Sequence, residues 1–283
     1  MGNRQAVIDT LAYSSIFSTP LTRDELYYFL HTDKVISKDA LDSLLNKLSL
    51  EIVQKDGYIA LIGQDKLIPM RKERKSLYEE KLILARRAAR ILAHIPSIYL
   101  IGLTGSVAAG NPGDDDIDFL IVTKTGSLFL TRALALCFLS AVGVRRRRNS
   151  SEVRNRICLN MFCDRDGMGS FGERQNIYTA REIAQMIPLF SRDSCYSDFL
   201  NANTWVYSYI CQAGKRFQTM KETRQSLFER IFDPLEIIIK YASKYFMNLH
   251  AGDSQTSLHT LFFYPKKRNN SIMQRYKKAG GLL

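Results

Sequence analysis

The segment 98–123 reads IYLIGLTGSVAAGNPGDDDIDFLIVT, and no other stretch restricts the fold as much. An apolar strand from Tyr99 to Leu103 runs into Thr104-Gly105-Ser106, a short small-residue helix follows, and a polar turn leads into a second apolar strand. Gly105 lets the backbone approach a ligand closely, and Ser106 adds a hydroxyl beside the amides of a helix start, so the pair reads as an anion seat. In the second strand Asp116 and Asp118 are separated by one residue, which puts both carboxylates on one face, with Ile117 and Phe119 on the other. Two like charges at that spacing repel. A hard divalent cation with oxygen ligands relieves the repulsion and bridges to phosphate, so Mg²⁺ or Mn²⁺ is the expected cofactor.

Gly105-Ser106, nine intervening residues and Asp116-x-Asp118 inside an apolar strand resemble the signature of the DNA polymerase beta nucleotidyltransferase superfamily. The resemblance implies a nucleotidyltransferase fold of the α+β class with a small mixed sheet. It implies that Gly105 and Ser106 bind the triphosphate of an NTP such as ATP, and that Asp116 and Asp118 are the catalytic metal ligands. Asp114 and Asp115 precede the strand and are read as turn residues. The match is direct over 98–123 and, with flanking elements, frames about residues 97–165. The Thr-Gly-Ser start, the Ile-Cys-Leu-Asn strand and the segment from Tyr178 to Leu189 also resemble a group of poorly characterised bacterial and archaeal nucleotidyltransferase-like proteins.

The superfamily supplies a third carboxylate from a later strand. The best candidate strand is Arg156 to Asp164, and its matching position is Asn160, an amide that coordinates through oxygen but is no base near neutral pH. Asp164 lies four residues on, about 13 Å along a regular strand; Glu152 and Asp166 are weaker loop candidates. Two readings follow. Either transfer uses two carboxylates and an acceptor that is already acidic or activated elsewhere, or the domain binds a nucleotide without turning it over. Asn160 is assigned to nucleotide binding.

Residues 1–63 read as one unit. A helix is expected from about Gln5 to Phe17, Thr22-Arg-Asp-Glu25 is a capping box opening a second, and Ser37 starts a third with Leu41, Leu44, Leu45 and Leu48 on one face. Asp56-Gly57 makes a tight hairpin between two short strands. Three helices and a hairpin resemble a winged helix. Its third helix offers Lys38 and Lys47 against Asp39 and Asp42, which favours a docking role over DNA reading. A charged helix from Pro69 to His94, within a connecting segment 64–96, carries Arg71, Lys72, Arg74, Lys75, Arg86, Arg87 and Arg90 outside a stripe of Leu77, Leu82, Leu84, Ala88 and Leu92. The nucleotidyltransferase-like domain spans 97–190. Within it Thr179 is the expected N-cap of a helix from Ala180 to Met186, with Glu182 completing a capping box and Pro188 ending it. A helical region, 191–283, includes a helix over 226–250.

The balance of 40 Lys+Arg against 28 Asp+Glu leaves a formal +12, which calls for an anionic partner. The surplus sits in the connecting helix, in Arg145 to Arg148 with Arg154 and Arg156, and in Lys266, Lys267, Arg268, Arg275, Lys277 and Lys278. These basic segments suit nucleic acid, and the aromatics Phe262, Phe263, Tyr264 and Tyr276 among the last group either stack on bases or anchor the tail to its own core. Five cysteines without a CxxC pair indicate reduced thiols and a cytoplasmic chain. The apolar run Leu128 to Val144 falls at the lower limit of a membrane span and reads as a core helix, so no membrane is expected. Trp205 is a packing anchor, and the four histidines have no mutual metal spacing.

The expected activity is metal-dependent transfer of an NMP group from an NTP to a hydroxyl of an RNA, protein or small-molecule acceptor. The alternative is a noncatalytic nucleotide-binding or regulatory protein, and a DNA-binding regulator acting through residues 1–63 is the third class.

Overall fold

The computed structural model describes residues 2–147, 152–216, 255–262 and 266–279. The helix expected over 226–250 lies outside them, as do Arg148, Phe263 and Tyr264. The fold is mixed α+β with two small sheets.

At the N-terminus α1 (Asn3–Ile16), α2 (Arg23–Tyr28) and α3 (Lys38–Lys47) pack on β1 (Leu21–Thr22), β2 (Ile52–Lys55) and β3 (Tyr58–Leu61), paired in the order β1-β3-β2. The Thr22–Glu25 capping box closes reciprocally, with the Glu25 amide donating to Thr22 Oγ1 at 3.2 Å and the Thr22 amide to Glu25 Oε2 at 2.8 Å. Ser37 caps α3. Asp56 and Gly57 both take positive φ, as a two-residue hairpin matched to strand twist demands. Leu21, Leu26, Leu30, Leu41, Leu45, Leu48, Ile52 and Ile59 form the core of this unit. The short β1, which the sequence pattern does not announce, brings Leu21 opposite Ile59.

The charged helix is α4 (Leu67–Leu92), and its buried stripe is not the leucine-rich one expected. Ala85, Ala88, Ala89 and Leu92 are buried, whereas Leu77, Leu82 and Leu84 are partly so. Small residues let the helix lie close to the sheet. Arg71, expected outside, is buried and donates to the Pro20 carbonyl and to Glu25 Oε1 at 2.5 Å. Lys81 is fully buried.

The larger sheet comprises β4 (Ile98–Thr104), β5 (Ile117–Thr123), β6 (Ile157–Asp164), β7 (Ile187–Ser191), β8 (Gln255–Thr256) and β9 (Thr260–Phe262), ordered β7-β4-β5-β6-β9-β8. β5 and β6 run parallel and the other neighbours antiparallel, so the sheet is mixed. The short helix α5 (Gly105–Ala108) follows β4 directly. One face packs under α4 and α6 (Leu128–Ala141), with Ile101, Leu103, Phe119, Ile121 and Phe162 pointing into that layer. The opposite face, carrying Leu100, Leu120, Val122, Met161 and Cys163, packs under α7 (Ile177–Gln185) and α8 (Cys195–Asn201), the end of α1 at Tyr13, and α9 (Lys266–Lys278) through Ile272 and Tyr276.

Three expectations change. The region after residue 190 is not purely helical, because Thr260 to Phe262 present buried side chains and extend the sheet beside β6. Thr179 is not an N-cap: α7 begins two residues earlier, capped by Asn176 Oδ1, which accepts from the Thr179 amide at 3.0 Å. Pro188 lies within β7, a strand at the sheet edge, where a missing amide donor is tolerated. The apolar run is α6, which buries Leu128, Phe129, Ala135 and Leu139. No helix among the described residues is long and apolar enough to cross a membrane.

Tyr276 is fully buried, and its ring meets Tyr13 edge-on at 5.7 Å and His31 at 5.9 Å. The tail aromatics Phe262 and Tyr276 therefore serve the core. Tyr276→Ala is expected to cost about 3–5 kcal/mol in chemical denaturation; a loss below about 1 kcal/mol would mean that α9 does not dock as described.

Candidate functional site

The site forms where β4 ends beside the start of β5. Thr104 pairs with Asp118 in the antiparallel register, so the backbone turns at Gly105 directly over the Asp118 side chain. Gly105 has φ +68°, and a Cβ placed there would lie 2.5 Å from Asp118 Oδ2. Glycine is required twice, once for the left-handed backbone and once for the carboxylate packed against it.

Ser106 and Asp115 are joined. The Ser106 hydroxyl donates to Asp115 Oδ2 at 2.5 Å, and buried Lys81 from α4 donates to Asp115 Oδ1 at 2.9 Å and to the Asp115 carbonyl. Burial disfavours the charged carboxylate, but the bonds from Lys81 and Ser106 outweigh it and hold Asp115 below its ordinary range. Asp115 is thus more than a turn residue. It fixes the Ser106 hydroxyl and supplies the charge that keeps Lys81 tolerable inside the protein. Asp114 is exposed and lies 3.4 Å from Arg154.

Asp116 immediately precedes β5 and Asp118 lies one residue inside it. Ligand atoms of Asp116, Asp118 and Cys158 all lie within 4.8 Å of one another. Cys158 is a neighbour of the pair that the sequence did not announce. In the parallel register Asp118 faces Cys158, and a bulge between the pairs Phe119–Leu159 and Leu120–Met161 leaves Asn160 without a partner on β5. Asn160 and Met161 consequently both line the cavity described below. Asp164 does not join the pair, because it lies at the other end of β6. It sits opposite Thr123 at the far end of β5, where His259 Nδ1 lies 2.9 Å from its Oδ2 and the Gly167 amide donates to Oδ1. Asp164, Asp166 and His259 form a separate donor group there. Among the described residues, no third carboxylate joins Asp116 and Asp118.

Arg146 takes up the negative charge. Its NH1 donates to Asp116 Oδ2 and lies 3.7 Å from Cys158 Sγ. Burial, and then the Asp118 and Asp116 carboxylates, push the Cys158 thiol far above its ordinary range. A protonated thiol is a poor ligand for a hard cation. The two carboxylates fit Mg²⁺ or Mn²⁺, and Cys158 does not.

A cavity of about 360 Å³ opens beside this group. At one end its wall is Gly105, Ser106, Asp115, Asp118 and Asn160, while Tyr13, Ser14 and Phe17 of the N-terminal unit and Tyr178, Thr179 and Arg181 of α7 line the rest. Asn111 holds the N-terminal unit to the site. Its Nδ2 lies 3.1 Å from the carbonyls of Phe17 and Ser18 and 2.9 Å from Thr19 Oγ1. Sequence reasoning located Gly105, Ser106, Asp116, Asp118 and Asn160 but not Lys81, Cys158, Arg181 or the contribution of α1. Arg146 was visible only as one member of a basic run, and Lys81 as one of many cations on a polar helix. Neither a protein-family model, nor a curated protein, nor a solved structure matches this chain.

Gly105→Ala tests the close approach. The αL backbone alone is expected to cost about 1–2 kcal/mol, with the contact against Asp118 added to it. Denaturation should show that loss, and Mn²⁺ affinity should fall with it; a variant as stable as the parent would contradict the packing.

Proposed function

We propose that this chain is a metal-dependent nucleotidyltransferase of the polymerase beta type, with a winged-helix-like unit at its N-terminus, moving an NMP group from an NTP to a hydroxyl. The observation that carries the reading is the convergence of Gly105, Ser106 and Asp118 on one cavity, with Asp116 beside Asp118. Asp116 and Asp118 would hold Mg²⁺ or Mn²⁺, which supplies charge neutralisation at the triphosphate and alignment for in-line attack.

The residues divide the remaining tasks. Gly105, lacking a side chain, lets the Asp118 carboxylate pack against the turn, and Ser106 presents a hydroxyl held in place by Asp115 and Lys81. Arg74, half-buried in the cavity wall, adds positive charge that suits a triphosphate. Arg146 must release Asp116 when a cation binds, since both neutralise the same carboxylate. In the transfer the acceptor oxygen bonds to the α-phosphorus, the bond from that phosphorus to the bridging oxygen breaks, pyrophosphate leaves with the electron pair, and the hydroxyl proton passes to solvent. Asn160 hydrogen-bonds but takes no proton, so the acceptor supplies its own acidity.

A noncatalytic nucleotide-binding role is the second reading, favoured by the absence of a third carboxylate beside Asp116 and Asp118 among the described residues. Incubation with α-labelled NTPs, Mn²⁺ and cell extract separates the two. Label transfer that disappears in Asp116→Asn and in Asp118→Asn supports the enzyme; retention of transfer in both variants overturns the site. In a Mn²⁺ titration followed by electron paramagnetic resonance, Arg146→Ala is expected to bind the ion several-fold more tightly, because it frees Asp116, and weaker binding would contradict the competition.

A further inference from the structure

Arg181 is a buried charge that the site described above does not use. It projects from α7, is only 4% exposed and lines the cavity. Its NH1 donates to the Phe29 carbonyl at 3.3 Å, its guanidinium stacks 3.8 Å from the centroid of Phe29, and its Nε has no hydrogen-bond partner. It forms no ion pair among the described residues. The carboxylate it senses most is Glu25, which already receives Arg71 at 2.5 Å, while Arg71 and Arg216 act on it as like charges. Burial brings its pKa down to about 10, so the side chain remains charged near neutral pH. A buried cation without a counter-ion is costly, and proteins retain one where a ligand supplies the missing charge.

Two further polar atoms in the same wall lack partners. Ser14 is 2% exposed and Asn111 6%, and both Ser14 Oγ and Asn111 Oδ1 are unpaired. The rings of Tyr13, Phe17, Phe171 and Tyr178 line the same cavity. This part of the wall is therefore aromatic, with the Arg181 guanidinium in no ion pair among the described residues and two unsatisfied hydrogen-bonding atoms. The cavity's volume is at the lower end of what small-molecule sites enclose, and the N-terminal unit forms part of the wall.

We propose that the acceptor in the reaction described above is a small aromatic hydroxy acid, its carboxylate bound by Arg181, its ring held among Tyr13, Phe17, Phe171 and Tyr178, and its hydroxyl the oxygen that bonds to the α-phosphorus and gives up its proton. The inference rests on the nucleotidyltransferase reading for the word acceptor, but the binding site stands on its own observations. Two guanidiniums line the cavity, Arg74 and Arg181, and Arg71 and Arg216 do not; with Arg74 assigned to the triphosphate, Arg181 alone is left for a second ligand, which favours a carboxylate over a phosphate dianion. Of the other charged groups in the wall, Asp115 is matched by Lys81, Glu182 Oε1 accepts from Gln185 Nε2 at 2.9 Å, and Arg74 and Asp118 belong to the triphosphate and metal end.

The test is calorimetric binding to the full chain without metal or nucleotide, using hydrocinnamate, its neutral amide hydrocinnamide, and phenyl phosphate. Hydrocinnamate should bind about tenfold more tightly than the amide, the factor expected for one hydrogen-bonded charge. Arg181→Met should remove that preference, Arg181→Lys should restore part of it, and Ser14→Leu, which fills the cavity, should abolish binding of both. Asp116→Asn should bind hydrocinnamate as the parent does; if it does while no NTP transfer is found in any variant, the transferase reading fails and the carboxylate site survives as a ligand site. Equal affinity for acid and amide, binding of neither, preference for phenyl phosphate, or an unchanged preference in folded Arg181→Met each overturns the proposal. Should Arg181→Met not fold, the acid–amide comparison on the parent and the Ser14→Leu variant still decide it.

Discussion

The contact between Gly105 and the Asp118 carboxylate is the constraint on which the site depends. It exists because β4 and β5 pair antiparallel through Thr104 and Asp118, so the chain leaving one strand must pass over a side chain of the other. Any Cβ at that point would collide with Oδ2. Holding the two strands in this register also places Ser106 against Asp115 and, through the parallel pairing of β6, Cys158 against Asp118. A one-residue slip of β5 would turn Asp118 to the opposite face and bring Phe119 towards the cavity.

Charge is arranged in local neutral groups around that contact. Lys81 is fully buried and acceptable only because Asp115 receives it, and Arg146 spans Asp116 and Cys158. Such pairs bring little net stability once desolvation is counted, but removing one partner leaves the other uncompensated. Arg181 departs from this pattern, with aromatic rings and a carbonyl as its only neighbours of note. The formal +12 of the whole chain does not describe this region, where Asp115 meets Lys81 and Asp116 meets Arg146.

Much of the local structure was legible. Periodicity and capping residues placed α2 and α3, Asp56-Gly57 placed the hairpin, and the run 98–123 placed β4, α5 and β5. Legibility ended where partners are distant in sequence. The stripe of α4 buried against the sheet is Ala85, Ala88, Ala89 and Leu92, mostly small because the helix lies close to the sheet, and a leucine count cannot show that. β7 was hidden because Pro188 argues against a strand unless the strand is an edge, and edge position is a property of the assembled sheet. Cys158 went unread because its place opposite Asp118 depends on the parallel pairing of β5 with β6, and the bulge that follows, at Asn160, is likewise invisible in the sequence.

The sequence by itself determined the short-range chemistry: a glycine able to turn, a serine next to it, and two carboxylates on one strand face, because these depend only on backbone conformation and a two-residue period. Only the tertiary structure decided what surrounds them. Lys81 comes from a helix that the sequence shows merely as charged, Tyr13 and Ser14 come from a different unit, and Arg181 acquires its meaning from the carboxylates that fail to reach it. Counter-ions and cavity walls are set by which distant segments meet, and no spacing along the chain records that.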